Sequence, residues 1–394
     1  MKKNALFLLG ISTILSLIAC NKPIKENRNP INDARINEDM KKSLKTLKRI
    51  DDKGILYTMD VQFDYFSDAM QTIAEEQNYI NHEHGCTSFM THNENGDVIY
   101  GRNFDTNHSA KTLEQAQGIY IIYNCHQEGL YKSVSIADAK YLVSDSASYL
   151  PGSLDDGEHD ISNIVCGIYD PLDGMNEKGL CVSTLSSDRR TDEVCYNVMV
   201  PGQETCVLGT IMRHMLDKCK TVEEAVDLAD DYNVMPYTGS SKLDHLLVSD
   251  ANGKSKVIEW RYNEIRVRDT DIATNFFQTW DDAEPHKVKT SIGYEQDSTL
   301  SKTYMDYQYG YGHGYERFNM VASTFQQYAQ IDEEGHYSSH LTNELAKNLL
   351  SLVAQQMTPE MTSMTQYSVI YNAKTLSADI WLTRDYSKKY SFGI

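Results

Sequence analysis

One stretch constrains the fold more than any other: HEHGCTSFMTHNENGDVIYGRNFD, residues 82–105. Two segments of alternating apolar and polar residues flank Asn95-Gly96, a dipeptide suited to the left-handed backbone of a tight hairpin turn. A two-residue turn at that point sets Glu94 opposite Asp97 and Cys86 opposite Asp105, with Cβ atoms of opposed residues about 4.5–5.5 Å apart. Arg102, three residues before Asp105, then points to the other face by strict alternation, and reaches Cys86 only through a bulge or a bend at Gly101. A cysteine opens the hairpin, and the return strand brings a carboxylate back beside it.

A hairpin needs a sheet, and the chain supplies further strands and helices in blocks. Residues 55–65, ILYTMDVQFDY, read as a strand and 66–80 as a helix, while Ile36, Met40, Leu44, Leu47 and Ile50 recur at helical spacing. A helix is expected over about 205–219, and Thr221 with Glu224 forms a capping box for another over 222–232. DHLLVSDANGKSKVIEWRYNEIRVRD gives three strands. A helix over 341–356 precedes two final strands in TQYSVIYNAKTLSADIWLT. Strands in hairpins with helices grouped between them argue for an α+β fold, its antiparallel sheets covered by helices. With 394 residues, 41 % of them hydrophobic and 26 tyrosines, the chain can bury a large core. No internal repeat is visible.

The first twenty residues are not part of that fold. Lys2 and Lys3 precede an apolar run, residues 5–19, too short to span a bilayer, which ends Leu-Ile-Ala-Cys20. That ending resembles the bacterial lipobox, which implies cleavage before Cys20, acylation of its thiol, and an exported, membrane-anchored lipoprotein. Residues 21–53 hold ten Lys/Arg against six Asp/Glu, whereas the chain beyond holds 25 against 50. A body of net charge −25 repels polyanions, which argues against nucleic-acid binding. The basic strip from 20 to 53 reads as a lipidated tether that suits an anionic lipid surface, or as a solvated spacer. Residues 54–85 follow as a pro-segment and 86–394 as the catalytic domain. Eight cysteines permit disulfides in an exported protein but no pairing can be assigned. No CxxC or spaced Cys/His set suggests zinc; His82 with His84 and His336 with His340 read as solvated pairs, and no metal or cofactor is expected. Self-association into a homo-oligomer is left open.

GCTSFMTHNENGDVIYGRNFD, together with DGMNEKGL at residues 173–180, resembles the choloylglycine hydrolase family and its relatives, the penicillin acyltransferase-like amidases and the acid ceramidase group. The resemblance runs from Cys86 to the end, and residues 55–65 are similar to the ceramidase pro-segment. It implies an N-terminal nucleophile hydrolase: a four-layer αββα sandwich cleaving linear amide carbon–nitrogen bonds. By the same resemblance the nucleophile is Cys86, its contacting arginine and aspartate are Arg102 and Asp105, an oxyanion-binding asparagine is Asn275 in ATNFFQTW, and a later arginine is Arg317 in YERF, where Glu316 stands in place of serine. Bile-salt hydrolases carry a further asparagine where this chain has Ser186, followed by Ser187. Serine cannot present an amide at that reach, so either a backbone N–H serves the oxyanion or the pocket differs. Ser186 is thus a candidate oxyanion or substrate contact, and the bile-salt reading is weakened while amide hydrolysis is not.

That chemistry needs cleavage between Gly85 and Cys86. The thiolate requires a base, the free α-amine of the same residue supplies one, and a peptide nitrogen does not. The expected substrate is a small N-acyl amide. An acyltransferase would use the same residues, and a silent ligand-binding lipoprotein is the reading the four residues Cys86, Arg102, Asp105 and Asn275 argue against. The Tyr- and Gly-rich residues 304–318 read as a substrate-facing loop.

Overall fold

A computed structural model describes residues 26–76, 85–108, 110, 112–143, 145–186, 200–235, 244–261, 264–279, 289–291, 293–295, 314–331, 337–356 and 364–394. Two sheets organise it. Nine strands run in the spatial order Lys48–Arg49, Leu56–Val61, Tyr120–Cys125, Ser133–Asp138, Asp173–Asn176, Cys181–Leu185, His245–Ser249, Ser255–Arg261 and Glu264–Asp269. Six run in the order Ile272–Ala273, Gly85–His92, Val98–Thr106, Met364–Asn372, Ser377–Leu382 and Lys389–Gly393. Every pairing within these two sheets is antiparallel except that of Leu56–Val61 with Tyr120–Cys125.

Alternation along each strand assigns side chains to layers. Cys86, Met90, Tyr100 and Phe104 of the smaller sheet meet Tyr120, Ile136, Met175 and Leu247 of the larger one in a core between the sheets. Phe89, Ile99 and Ile370 point the other way, onto the helices Gly314–Gln327 and Asn343–Leu352. On the far side of the larger sheet, Val182, Leu246 and Ile258 pack under the helices Leu208–Lys218 and Val222–Asp230, and Tyr57, Ile121 and Tyr123 pack under Glu38–Lys45, Asp68–Glu76 and the 3₁₀ segment Ser162–Tyr169. The layers are therefore helix, sheet, sheet, helix, the αββα arrangement.

Two expectations need correction. The Cys86 hairpin closes through three residues, not two: Asn93 N–H donates to Asp97 O, and the Asn93 side chain accepts from the N–H groups of Asn95 and Asp97. Gly96 sits at φ +77°, the left-handed residue that ends a three-residue loop. The pairing consequently shifts by one residue, so that Cys86 faces Phe104, Ser88 faces Arg102 and Asp105 faces Gly85. A one-residue slip exchanges the faces of every side chain on a strand. Arg102 therefore shares the inter-sheet face with Cys86, and Asp105 lies on the helix side. The second correction concerns the basic segment. Residues 26–53 do not hang as a tether: Met40 and Leu44 of Glu38–Lys45 are fully buried, Asn27 and Asn29 hydrogen-bond to Leu154 and Ser153, and Lys48–Arg49 pairs with Leu56–Val61 in the larger sheet.

Among the described residues no helix is long and apolar enough to cross a membrane, and no group of three or more His, Cys, Asp or Glu could hold a metal ion. His340 stacks on His92, with ring centroids 5.0 Å apart. His82, His84, His336, Ser187, Cys20 and residues 304–313 lie outside the described residues, and residues 314–318, expected as the end of a loop, open the helix Gly314–Gln327 instead. Cys125, Cys166, Cys181, Cys206 and Cys219 are free cysteines.

Candidate active site

Cys86 is the second residue of its strand and fully buried, and the site is arranged around its main chain as much as its thiol. On the inter-sheet face, Arg102 Nη2 lies 3.4 Å from Cys86 Sγ. Arg102 Nε lies 3.1 Å from Asp173 Oδ2 on the opposing sheet. Both Asp173 oxygens accept tyrosine hydroxyls from the smaller sheet: Oδ1 from Tyr371 at 2.5 Å and Oδ2 from Tyr367.

The main chain of Cys86 is held separately. Its N–H donates to Asn275 Oδ1 at 2.7 Å, and its carbonyl accepts from Arg317 Nη1, which also donates to Thr87 Oγ1 at 2.7 Å. Arg317 Nη2 donates to Asn275 Oδ1 at 2.6 Å, so the asparagine oxygen takes two donors while its Nδ2 donates to the Ser186 carbonyl at 2.8 Å. Ser186 thus enters through its backbone. Arg317 is placed by the first turn of Gly314–Gln327, and Thr274 ties the Asn275 loop to that helix by donating to Gly314 O at 2.7 Å.

Asp105 lies on the helix side of the same strands. It accepts from Gln355 Nε2 at 2.7 Å and from Thr365 Oγ1 at 2.6 Å, and Arg317 Nη1 lies 3.6 Å away. Thr365 is aimed there by a register shift between Thr365 and Tyr367, a bulge of the kind that redirects side chains beside active sites. Gly85 completes this side. A Cβ on residue 85 would stand 2.4 Å from Gln355 Nε2 and 3.3 Å from Asp105 Oδ2, so a larger residue would displace the Gln355 amide from Asp105, and removal of residue 85 would open space beside that carboxylate.

The loop carrying Asn275 is gripped from below. His245 Nε2 stands 2.7 Å from Thr274 O and its Nδ1 3.1 Å from Glu259 Oε1. Glu259 accepts from the N–H groups of Gln278 and Thr279 at 2.7 and 3.0 Å and from the Thr279 hydroxyl at 2.5 Å. Histidine and glutamate are both fully buried.

Electrostatics follow from burial. Burial pushes the Cys86 thiol up to about 12; the Arg102 charge opposes this, Asp105 adds to it, and Arg317 opposes it. Burial also raises Asp105 above the ordinary carboxylate value against the pull of Arg317, Thr365 and Gln355, and raises Asp173 against Arg102 and the two tyrosines.

Cys86, Arg102, Asn275 and Arg317 therefore converge directly, Ser186 through its carbonyl, and Asp105 with Gly85 on the other face. Sequence reasoning assigned no role to Asp173, although it begins the quoted DGMNEKGL run, nor to Tyr367, Tyr371, Gln355, Thr365, His245 or Glu259. Only Asp173 carried a signal, its place in that run; the others read as ordinary strand or helix-end residues.

A sequence model of the linear amide C–N hydrolases of the choloylglycine hydrolase family matches residues 86–283, half of the chain. A variant of the conjugated bile acid hydrolase from Clostridium perfringens superimposes with a TM-score of 0.50 at 16 % identity, covering 78 % of this chain and 92 % of that one. Penicillin V acylase from Agrobacterium tumefaciens gives a TM-score of 0.44 at 17 % identity, covering 75 % and 83 %. At these identities the first likeness speaks for the fold alone. No curated protein matches the chain.

Proposed function

Because the chain belongs to the choloylglycine hydrolase family of linear amide C–N hydrolases, we propose that Cys86, freed as an N-terminus by cleavage after Gly85, is the nucleophile of an N-acyl amide hydrolase. The observation that carries this reading is that thiol, N–H and carbonyl of one residue are each engaged, by Arg102, Asn275 and Arg317. The family match also begins at that residue.

In the uncut chain the thiol attacks the Gly85 carbonyl, the acyl group passes from nitrogen to sulfur, and water releases it, leaving a free Cys86 amine. That amine then takes the thiol proton. The thiolate adds to the amide carbonyl of the substrate, its electron pair moves onto oxygen, and Asn275 with a backbone N–H stabilises the charge. Collapse breaks the C–N bond, and the nitrogen leaves with the proton held by the Cys86 ammonium. Water then attacks the thioester, the C–S bond breaks and the thiol is restored. Arg102 favours the thiolate, Asp105 orients the amine in the space left by Gly85, and Arg317 fixes Asn275 against Cys86.

Intact mass of the purified protein tests the cut: a single active species still joined across residues 85 and 86 refutes it. A panel of glycine- and taurine-conjugated bile acids, N-acyl ethanolamines, ceramides and short acyl amides, with and without an added amine acceptor, then tests the reaction on processed wild type and Cys86→Ala. Hydrolysis lost in Cys86→Ala supports the reading, and hydrolysis retained there overturns it. Acyl transfer to the added amine would make the chain an acyltransferase on the same thioester. The lipobox-like Cys20 supports an exported lipoprotein anchored ahead of this domain, which labelled fatty-acid incorporation lost in Cys20→Ala would test.

A further inference from the structure

Arg102 and Arg213 are both fully buried beside a cysteine and an aspartate, yet they are held differently. Arg213 meets Asp217 through two nitrogens, Nε at 3.0 Å and Nη2 at 2.6 Å, the fork geometry of a structural pair. Arg102 approaches Asp173 as an ion pair, Nε 3.1 Å from Oδ2, with neither Nε nor Nη1 in a hydrogen bond among the described residues, and it leaves Nη2 to the Cys86 thiol. A side-on anchor of this kind satisfies the guanidinium poorly and aims it well. The anchor is itself fixed: Asp173 belongs to the larger sheet and its two oxygens take hydroxyls from Tyr367 and Tyr371 of the smaller one, so the carboxylate cannot rotate without breaking one of them. The Tyr–Asp–Arg–Cys chain crosses from sheet to sheet and back to the thiol.

We propose that Asp173 is a positioning residue of this site, acting through Arg102 and clamped by Tyr367 and Tyr371; the inference rests on Cys86 being the nucleophile. A long arginine side chain has many rotamers, and a buried carboxylate held at two oxygens selects the one that points Nη2 at sulfur. The DGMNEKGL run acquires a purpose by this route: its aspartate reaches Arg102, while its Asn176 side chain caps the end of the Leu208–Lys218 helix at Leu216 O and Cys219 O.

The test is a double-mutant cycle combining Asp173→Asn with Arg102→Lys, read on the cleaved form of each variant, with Cys86→Ala, which has no thiol to cut the chain, as the uncleaved control. Asp173→Asn should lower kcat about tenfold or more with KM changed less than about twofold, and the same change in the Arg102→Lys background should cost less than about twofold, because the residue acts through the arginine. Equal losses in both backgrounds overturn the proposal, as does a folded Asp173→Asn with unchanged kcat. If Asp173→Asn does not fold, Tyr371→Phe, which removes one clamp, should show a smaller loss that disappears in Arg102→Lys; a loss that persists there overturns the proposal. Where turnover is too slow, the cycle is read on the rate of Cys86 alkylation by iodoacetamide. A Cys86→Ala variant that keeps full activity would refute the nucleophile itself, an outcome distinct from an additive cycle with Cys86→Ala inactive.

Discussion

Cys86 and Cys125 are near twins in their surroundings. Each thiol lies 3.4 Å from an arginine nitrogen, Arg102 Nη2 in one case and Arg213 Nη1 in the other, and each arginine is paired with a buried aspartate. Burial, opposed first by the neighbouring arginine, pushes one thiol up to about 12 and the other to about 11. If contact with a guanidinium made a nucleophile, the chain would have two. What separates them is the main chain. Cys125 ends a strand and is paired on both sides, with Val61 and with Ser133, so its backbone is committed to the ladder. Cys86 stands one residue into its strand, behind a glycine, with its N–H and carbonyl held by side chains from a loop and a helix. A residue can become a working N-terminus only where its backbone stays fixed after the chain before it is cut. The other trio has a different use. Tyr65, which precedes the proposed cut, donates to Asp217 at 3.0 Å and binds the segment before Gly85 to the chain after it.

The comparison is broken most directly by exchanging its members. Cys86→Ala should lower kcat by about 10⁴-fold or more, whereas Cys125→Ala should leave kcat within about twofold, and comparable losses from both would end the distinction. Next in size, Arg213→Met should cost about 3–5 kcal/mol of stability by leaving Asp217 buried without its partner, read as a lower urea midpoint, with kcat per folded molecule unchanged. The processed chains should nevertheless co-elute in wild type, because Leu56–Val61 lies inside the larger sheet, paired in parallel with Tyr120–Cys125 over six residues. Separate elution of residues before and after the cut would show that the sheet does not hold. Asn275→Ala should lower kcat about 10²–10³-fold. Glu259→Gln, which weakens the grip on the Asn275 loop without touching the reacting atoms, should fall between that variant and wild type.

Much of this was legible, and the failures have physical causes. The alternating runs gave the strands Gly85–His92 and Val98–Thr106, but the register depended on Asn93, whose side chain accepts from two backbone N–H groups and lengthens the loop by one residue. Asn-Gly read alone implied two residues and put Asp105 where Arg102 belongs. That error also removes the puzzle of how Arg102 reaches Cys86: it was on the right face throughout. The basic segment looked like a tether because Lys and Asn dominate its composition, yet Met40 and Leu44 at helical spacing bury against the larger sheet, so periodicity outweighed charge. His245, Glu259, Tyr367 and Tyr371 could not be found, because a buried polar network depends on which strands become neighbours, and 194 residues separate Asp173 from Tyr367 in sequence. The four-layer fold came instead from the resemblance that the two long motifs carry, and the four converging residues from that resemblance extended to ATNFFQTW and YERF.

The smallest expected effect separates the trios most finely, because it concerns Asp105, which Cys125 lacks. Burial holds Asp105 above the ordinary carboxylate value despite the opposing Arg317 charge, and Thr365 and Gln355 favour its charged form. In the proposed mechanism only the carboxylate orients the Cys86 ammonium, so kcat/KM should fall as pH drops through the Asp105 midpoint, which that ammonium draws down from its raised position in the uncut chain. Stability runs the other way. An acid whose value is higher folded than unfolded binds its proton more tightly when folded, so its contribution is greatest at low pH and is lost as pH rises through the folded value. Thr365→Val removes a hydrogen bond to the charged form and should move the activity midpoint upward, by up to about one pH unit. Cys125→Ala should leave that midpoint in place. A downward shift in Thr365→Val would mean that Asp105 works protonated, and an equal shift in Cys125→Ala would mean that the acid limb reports general stability, not the environment of Cys86.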